Sequence, residues 1–229
     1  MLPKNEDTDW IEKTLSHYEK ANQTFQELFG YQLFIVGGTL LGWTRNRDII
    51  SFDKDLDTAY VSKTTTPDGL REEFRDIVIT LLRAGHDISI TTKSETVRPY
   101  YAWWRLDDDI HIDIFPGAFV NGNYCRPTFV ETGLEKEDMF PLLEERLRGV
   151  PVLVPRNYER KLAAVYGESW KTPDPFWKKT KSPRMSQYLK SISLTPDDLE
   201  AIAAVSPPKE GHIIRAWLRD RELPKGKAS

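Results

Sequence analysis

The chain has 229 residues, 39% hydrophobic and 29% charged, with a net charge of −3 and a pI near 5.9. Those values suit one soluble domain with appendages, and they give neither nucleic acid nor an anionic membrane surface an electrostatic footing. No apolar run approaches the roughly 18–20 residues of a membrane span, MLPKNEDTDW lacks the apolar core of a signal peptide, and the single cysteine, Cys125, excludes an internal disulfide.

The first predicted element is a helix over Asp9–Phe29, with Ile11, Leu15, Tyr18, Phe25 and Leu28 at helical spacing, Asp9 and Glu12 at its start and Gly30 as its stop. A strand over Gln32–Val36 runs into Gly37-Gly38-Thr39, where two residues without Cβ let a ligand approach the backbone and let the next helix aim its first N–H groups at an anion. That short helix carries Arg45, whose guanidinium is a candidate for paired hydrogen bonds to phosphate. A second strand is predicted to open with Asp53, Asp55 and Asp57. On extended backbone these alternate residues share one face at roughly 6–7 Å intervals, and adjacent carboxylates there can hold a hard cation such as Mg²⁺.

Three other readings fit the aspartates less well. An EF-hand loop counted from Asp53 would need Gly and Glu where Thr58 and Thr64 stand. A glycosyltransferase Asp-x-Asp motif normally follows a long nucleotide-binding region, whereas here it follows one helix and one strand. Solvated turn aspartates would not explain the glycine turn upstream.

These residues together resemble the LicD/fukutin family, whose signature runs Gly-Gly-Thr-Leu-Leu-Gly, Arg, an apolar residue and Asp-x-Asp-x-Asp. The matching positions are Gly37 to Gly42, Arg45, Ile50, and Asp53, Asp55 and Asp57, with Ile50-Ser51-Phe52 replacing the family's common Ile-Pro-Trp. The resemblance implies an α/β fold of the nucleotidyltransferase type, a mixed sheet flanked by helices. It also implies Mg²⁺, with Mn²⁺ as the alternative, a CDP-activated alcohol as donor and a glycan or lipid-linked glycan as acceptor. The lone cysteine, with no span or signal-peptide core, sets the expectation of a cytoplasmic chain that visits the inner face of a membrane where a glycan acceptor would sit.

Downstream, Pro67-Asp68-Gly69 leads into a helix over Leu70–Ala84 whose Arg71, Glu72, Glu73 and Arg75 read as a solvated face. Tyr100, Tyr101, Trp103 and Trp104 read as strand residues that either cover the core or line the donor pocket. Asp107 to Asp109 form a turn before a strictly alternating strand, with Ile110, Ile112 and Ile114 on one face and His111 and Asp113 on the other. A buried strand aspartate needs a partner. Asp113 is accordingly read as the third carboxylate beside Asp55 and Asp57, to complete the metal site or to accept a proton, while Asp53 is a further metal ligand and His111 reads as structural.

Asn121-Gly122 predicts a hairpin, Arg148-Gly149 a second turn, and Asn157 to Gly167 bound a helix over Tyr158–Tyr166 in which Lys161 is a candidate donor-phosphate ligand. Residues 1–170 form the expected catalytic domain and 171–229 a proline-broken, partly helical appendage marked by Pro173, Pro175, Pro183, Pro196, Pro207 and Pro208. The rival activities are nucleotidyl transfer from a nucleoside triphosphate, which the same carboxylates serve, and metal or nucleotide binding without turnover.

Overall fold

A computed structural model describes residues 3–127, 133–174, 176–178 and 183–222; Pro175 lies outside these residues. Helix α1 spans Thr8–Phe29, begun by Asp7, which accepts from the Trp10 N–H at 3.2 Å, and closed by Gly30 at φ 68°. The cap is thus Asp7 and not the predicted Asp9 or Glu12. After it come β1 (Phe34–Ile35), α2 (Gly37–Asn46), β2 (Leu56–Val61), α3 (Pro67–Arg83), β3 (Ile88–Ser89), β4 (Ala102–Arg105), β5 (His111–Val120) and β6 (Asn123–Cys125).

These strands make one mixed sheet in the order β1-β2-β5-β4-β3, with β6 paired to β5. Only β2 and β5 run parallel among the pairings of this sheet, and their register sets Asp57 beside Asp113. Leu56, Ile112, Ile114 and Trp104 face the side covered by α1 and α3, in one core cluster with Leu15, Phe74 and Ile77. Period-two alternation then turns Asp57, His111, Asp113 and Trp103 to the opposite side. The hairpin predicted at Asn121-Gly122 joins β5 to β6, both turn residues having positive φ.

The chain continues through α4 (Lys136–Met139), the hairpin β7 (Leu143–Leu147) and β8 (Val150–Val154), and α5 (Tyr158–Tyr166), whose N-cap Asn157 and C-cap Gly167 are those expected. Helices α6 (Pro183–Ile192), α7 (Pro196–Val205) and α8 (Pro208–Glu222) follow. The composition shift at residue 171 is not a boundary in the packing. Leu194, Leu199, Ile202 and Ile214 are buried in the same cluster as Leu15 and Ile112.

Arg71 and Arg75, read from sequence as solvated, instead pair with Asp198 at 3.5 and 2.9 Å. Asp198 belongs to a reciprocal cap with Thr195 at the start of α7. A buried carboxylate needs such cations, and the sequence of α3 alone gives no sign that a helix more than a hundred residues later supplies it. Among the described residues no helix is long and apolar enough to cross a membrane.

Candidate active site

Strand β2 begins at Leu56, so Asp55 lies in a bend just before it and Asp53 precedes that bend outside regular secondary structure. Of the three acids only Asp57 lies on the strand itself. Asp57 leads off the strand toward the start of α2, where the Gly38 N–H donates to its Oδ2 at 2.7 Å. Its own N–H donates to Thr39 Oγ1 at 2.9 Å. The anion held at this helix N-terminus is therefore the protein's own carboxylate, and Gly37, Gly38 and Thr39 orient Asp57.

The glycines are required by space. A Cβ on Gly37, whose φ is +55°, would sit 2.1 Å from Asp57 Oδ2, and one on Gly38 would sit 2.9 Å from Asp53 Oδ2. Gly37→Ala is expected to cost about 1–3 kcal/mol in urea denaturation through strain and the displaced carboxylate, and Gly38→Ala less. Wild-type stability in Gly37→Ala would mean that Asp57 is not seated there.

Asp55 takes a different partner set. One oxygen of Asp55, one of Asp113 and a ring nitrogen of His111 lie within 4.8 Å of one another. Asp113 is 6% exposed, and its Oδ1 and His111 Nε2 are buried without a hydrogen-bond partner among the described residues. They stand 3.8 Å apart, too far for a hydrogen bond. Paired strands explain the meeting: His111 and Asp113 are two apart on β5, and Trp103 of β4 is in register with Asp113 and packs on the His111 ring at 4.4 Å.

Electrostatics mark the same residues. Burial, then the charges of Asp57 and Asp55, push Asp53 up to about 7. Asp55 is raised to about 6 by burial and then Asp57, with Arg98 opposing. Asp113 is raised well above the carboxylate range by burial, Asp57 and Asp55. His111 is held down to about 4 by burial and then Arg98. Several carboxylates that raise one another in a partly dry site form a site for a cation. The orphaned Asp113 and His111 atoms fit one.

Two of the expected cations sit elsewhere. Arg45 donates through Nε to the Trp170 carbonyl at 2.8 Å and through Nη2 to the Trp170 and Thr172 carbonyls, so its guanidinium is taken up by backbone just beyond α5. Lys161 is 1% exposed, its Nζ 4.2 Å from the Tyr124 ring centre and 5.5 Å from that of Phe34, without a hydrogen-bond partner among the described residues. Burial and then the charge of Arg126 hold its ammonium well below the usual lysine range.

The cation that does reach the cluster is Arg98, which sequence reading passed over. Its guanidinium lies 3.9 Å over the Trp103 ring and 4.9 Å over Tyr101, and among the described residues it forms no ion pair. Tyr101 in turn stacks on Phe115 at 4.8 Å, and Trp104 is buried against α1. The aromatic run thus divides between core and a platform for Arg98. On the other flank Tyr166 of α5 is pushed up to about 12 by burial and then by Asp57. A groove of about 750 Å³ between Tyr31, Phe34, Lys63 and Phe140 lies further along the sheet, and none of the aspartates lines it.

A glycine-led helix and two neighbouring parallel strands that bring carboxylates together on a mixed sheet define a fold of the nucleotidyltransferase type. The chain belongs to the LicD/FKTN/FKRP family, whose nucleotidyltransferase-domain model matches residues 30–157. No curated protein matches the sequence. Among solved structures similar to it is that of the antibiotic-resistance factor ANT(2'')-Ia, at 16% identity over 92% of each chain with a TM-score of 0.40.

Proposed function

We propose that the protein moves a phosphorylated alcohol, of the phosphocholine or ribitol or glycerol phosphate kind, from a CDP-activated donor to a glycan hydroxyl and releases CMP. The observation that carries this reading is the approach of Asp55 to Asp113, with Asp57 next to Asp113 in the strand register and Asp113 buried and lacking a hydrogen-bond partner for Oδ1 among the described residues. These carboxylates, with Asp53 beside them, would hold a divalent cation, Mg²⁺ or Mn²⁺. The chemistry such a cation supplies is neutralisation of the pyrophosphate and of the charge that develops on phosphorus.

The protein's own groups do the rest. The hydroxyl oxygen bonds to the phosphorus bearing the alcohol as the bond from that phosphorus to the bridging oxygen breaks; CMP carries that oxygen away, and the hydroxyl proton passes to a carboxylate of the cluster. Arg98, fixed on its aromatic platform, donates to phosphate oxygens. Arg45 holds Trp170 and Thr172, and through them the end of α5 that carries Tyr166 toward the acids.

The closest rival is nucleotidyl transfer from a nucleoside triphosphate. Incubation with CDP-choline, CDP-ribitol, CDP-glycerol and the four nucleoside triphosphates, with glycan acceptors present, separates them. CMP release from a CDP-alcohol supports this proposal. Pyrophosphate release from a triphosphate moves the protein to the rival class, and binding without product leaves a binding protein.

A further inference from the structure

We propose that His111 is itself a ligand of the cation, so that the site ranks a first-row transition ion, Mn²⁺ among them, above Mg²⁺. This rests on the cation-dependent reading above and goes beyond it, since three aspartates would make an all-oxygen site indifferent between the two ions.

The geometry is specific. Two donors that share one ion with bonds of about 2.0–2.2 Å lie roughly 3.0–4.3 Å apart, and His111 Nε2 stands 3.8 Å from Asp113 Oδ1. As a hydrogen bond that separation fails. Both atoms are nonetheless buried and neither makes a hydrogen bond within normal geometry among the described residues, although the Trp103 indole N–H, itself unpaired, is close enough to favour the charged form of Asp113. Buried polar atoms are almost always satisfied, so two orphans aimed at each other across an ion-sized gap point to an ion between them. Asp55 supplies a third donor within 4.8 Å of both.

The imidazole is also held in place. Its ring packs on Trp103 at 4.4 Å, and Trp103 in turn lies under the Arg98 guanidinium at 3.9 Å, which limits the rotations open to His111. A merely packed histidine would turn Nε2 to a carbonyl or to solvent; this one turns it to a carboxylate. Carboxylate oxygens serve Mg²⁺ and Mn²⁺ alike, whereas a nitrogen donor favours the transition ion.

The test uses the full chain, stripped of metal, with Mn²⁺ and Mg²⁺ as the only added ligands. Titration followed by the electron paramagnetic resonance of free Mn²⁺, with Mg²⁺ read by competition, is expected to show Mn²⁺ at least about tenfold tighter. Pulsed resonance on the bound ion should show coupling to ¹⁴N. His111→Asn should remove that coupling and weaken Mn²⁺ by about 10–100-fold while Mg²⁺ moves little. Bound Mn²⁺ without ¹⁴N coupling in the wild-type chain overturns this inference and leaves the cation-dependent reading standing. An absence of binding by either ion, or wild-type Mn²⁺ affinity in Asp113→Asn, removes both. Because the ¹⁴N measurement is made on the unaltered chain, it decides the matter even where His111→Asn folds poorly.

Discussion

Asp113→Asn is expected to cut transfer by at least about 10³-fold and at the same time to make the metal-free protein more stable than wild type. The first effect follows because the substitution removes the buried charge that the other carboxylates and the donor phosphates are arranged around. The second follows from linkage. In the folded chain the carboxyl is raised by burial, then by Asp57 and Asp55; in the unfolded chain it titrates near its ordinary value of about 3.9.

An acid raised in the folded state binds its proton more tightly there, so stability falls as pH climbs above the unfolded value. Asparagine has nothing to ionise and escapes the loss. In chelator, the variant and the wild type should melt together near pH 4, and the variant should melt higher by pH 8. Added divalent ion should raise the melting point of the wild type and leave the variant where it was. A rate within tenfold of wild type, or a variant that melts lower at pH 8, would remove Asp113 from the site.

Lys161→Met carries the other large effect. A fully buried ammonium whose neighbours are the rings of Phe34 and Tyr124 destabilises the chain unless an anion joins it. A methionine of similar length fills the same space, and replacement of buried charge by apolar volume commonly stabilises by about 1–4 kcal/mol. Here the sign with pH runs the other way. A base held low in the folded state is unfavourable below its unfolded value, so wild-type stability rises as pH approaches about 10.4. The advantage of Lys161→Met should shrink between pH 7 and pH 10. If Lys161 also contacts the donor, the variant should show a raised donor KM with kcat less affected. A variant that is more stable with unchanged KM would confine Lys161 to the core, and one less stable at pH 7 would contradict its burial.

Local signals were readable where the physics is local. Asn157 and Gly167 bound α5 because a side-chain cap and a positive φ are decided within one turn. Asn121-Gly122 forms its hairpin for the same reason. The strict alternation of Ile110 to Ile114 placed Asp113 on the face opposite the isoleucines, where the sheet brings it beside Asp57.

What depends on a partner far along the chain was not readable. The Arg71 and Arg75 side chains have their acid at Asp198, and Arg45 has its carbonyls at Trp170 and Thr172. His111 reads as structural until the register of β4 against β5 sets Trp103 against it and Asp55 folds over it. Arg98 has no signature at all in the sequence; only the platform of Trp103 and Tyr101 distinguishes it from a surface arginine. Asp53 and Asp55 lie before β2, where strand periodicity alone does not fix their side chains.

Asp57 and Asp113 face different evolutionary pressures for the reason seen at the start of α2. The carboxylate of Asp57 closes the end of a helix, so its loss would loosen the scaffold whether or not any reaction takes place. A descendant that abandoned turnover would still be held to aspartate at 57 and would gain stability by drifting away from it at 113. In a survey of related chains, aspartate at the first position is therefore no evidence of a working enzyme, and aspartate at the second is.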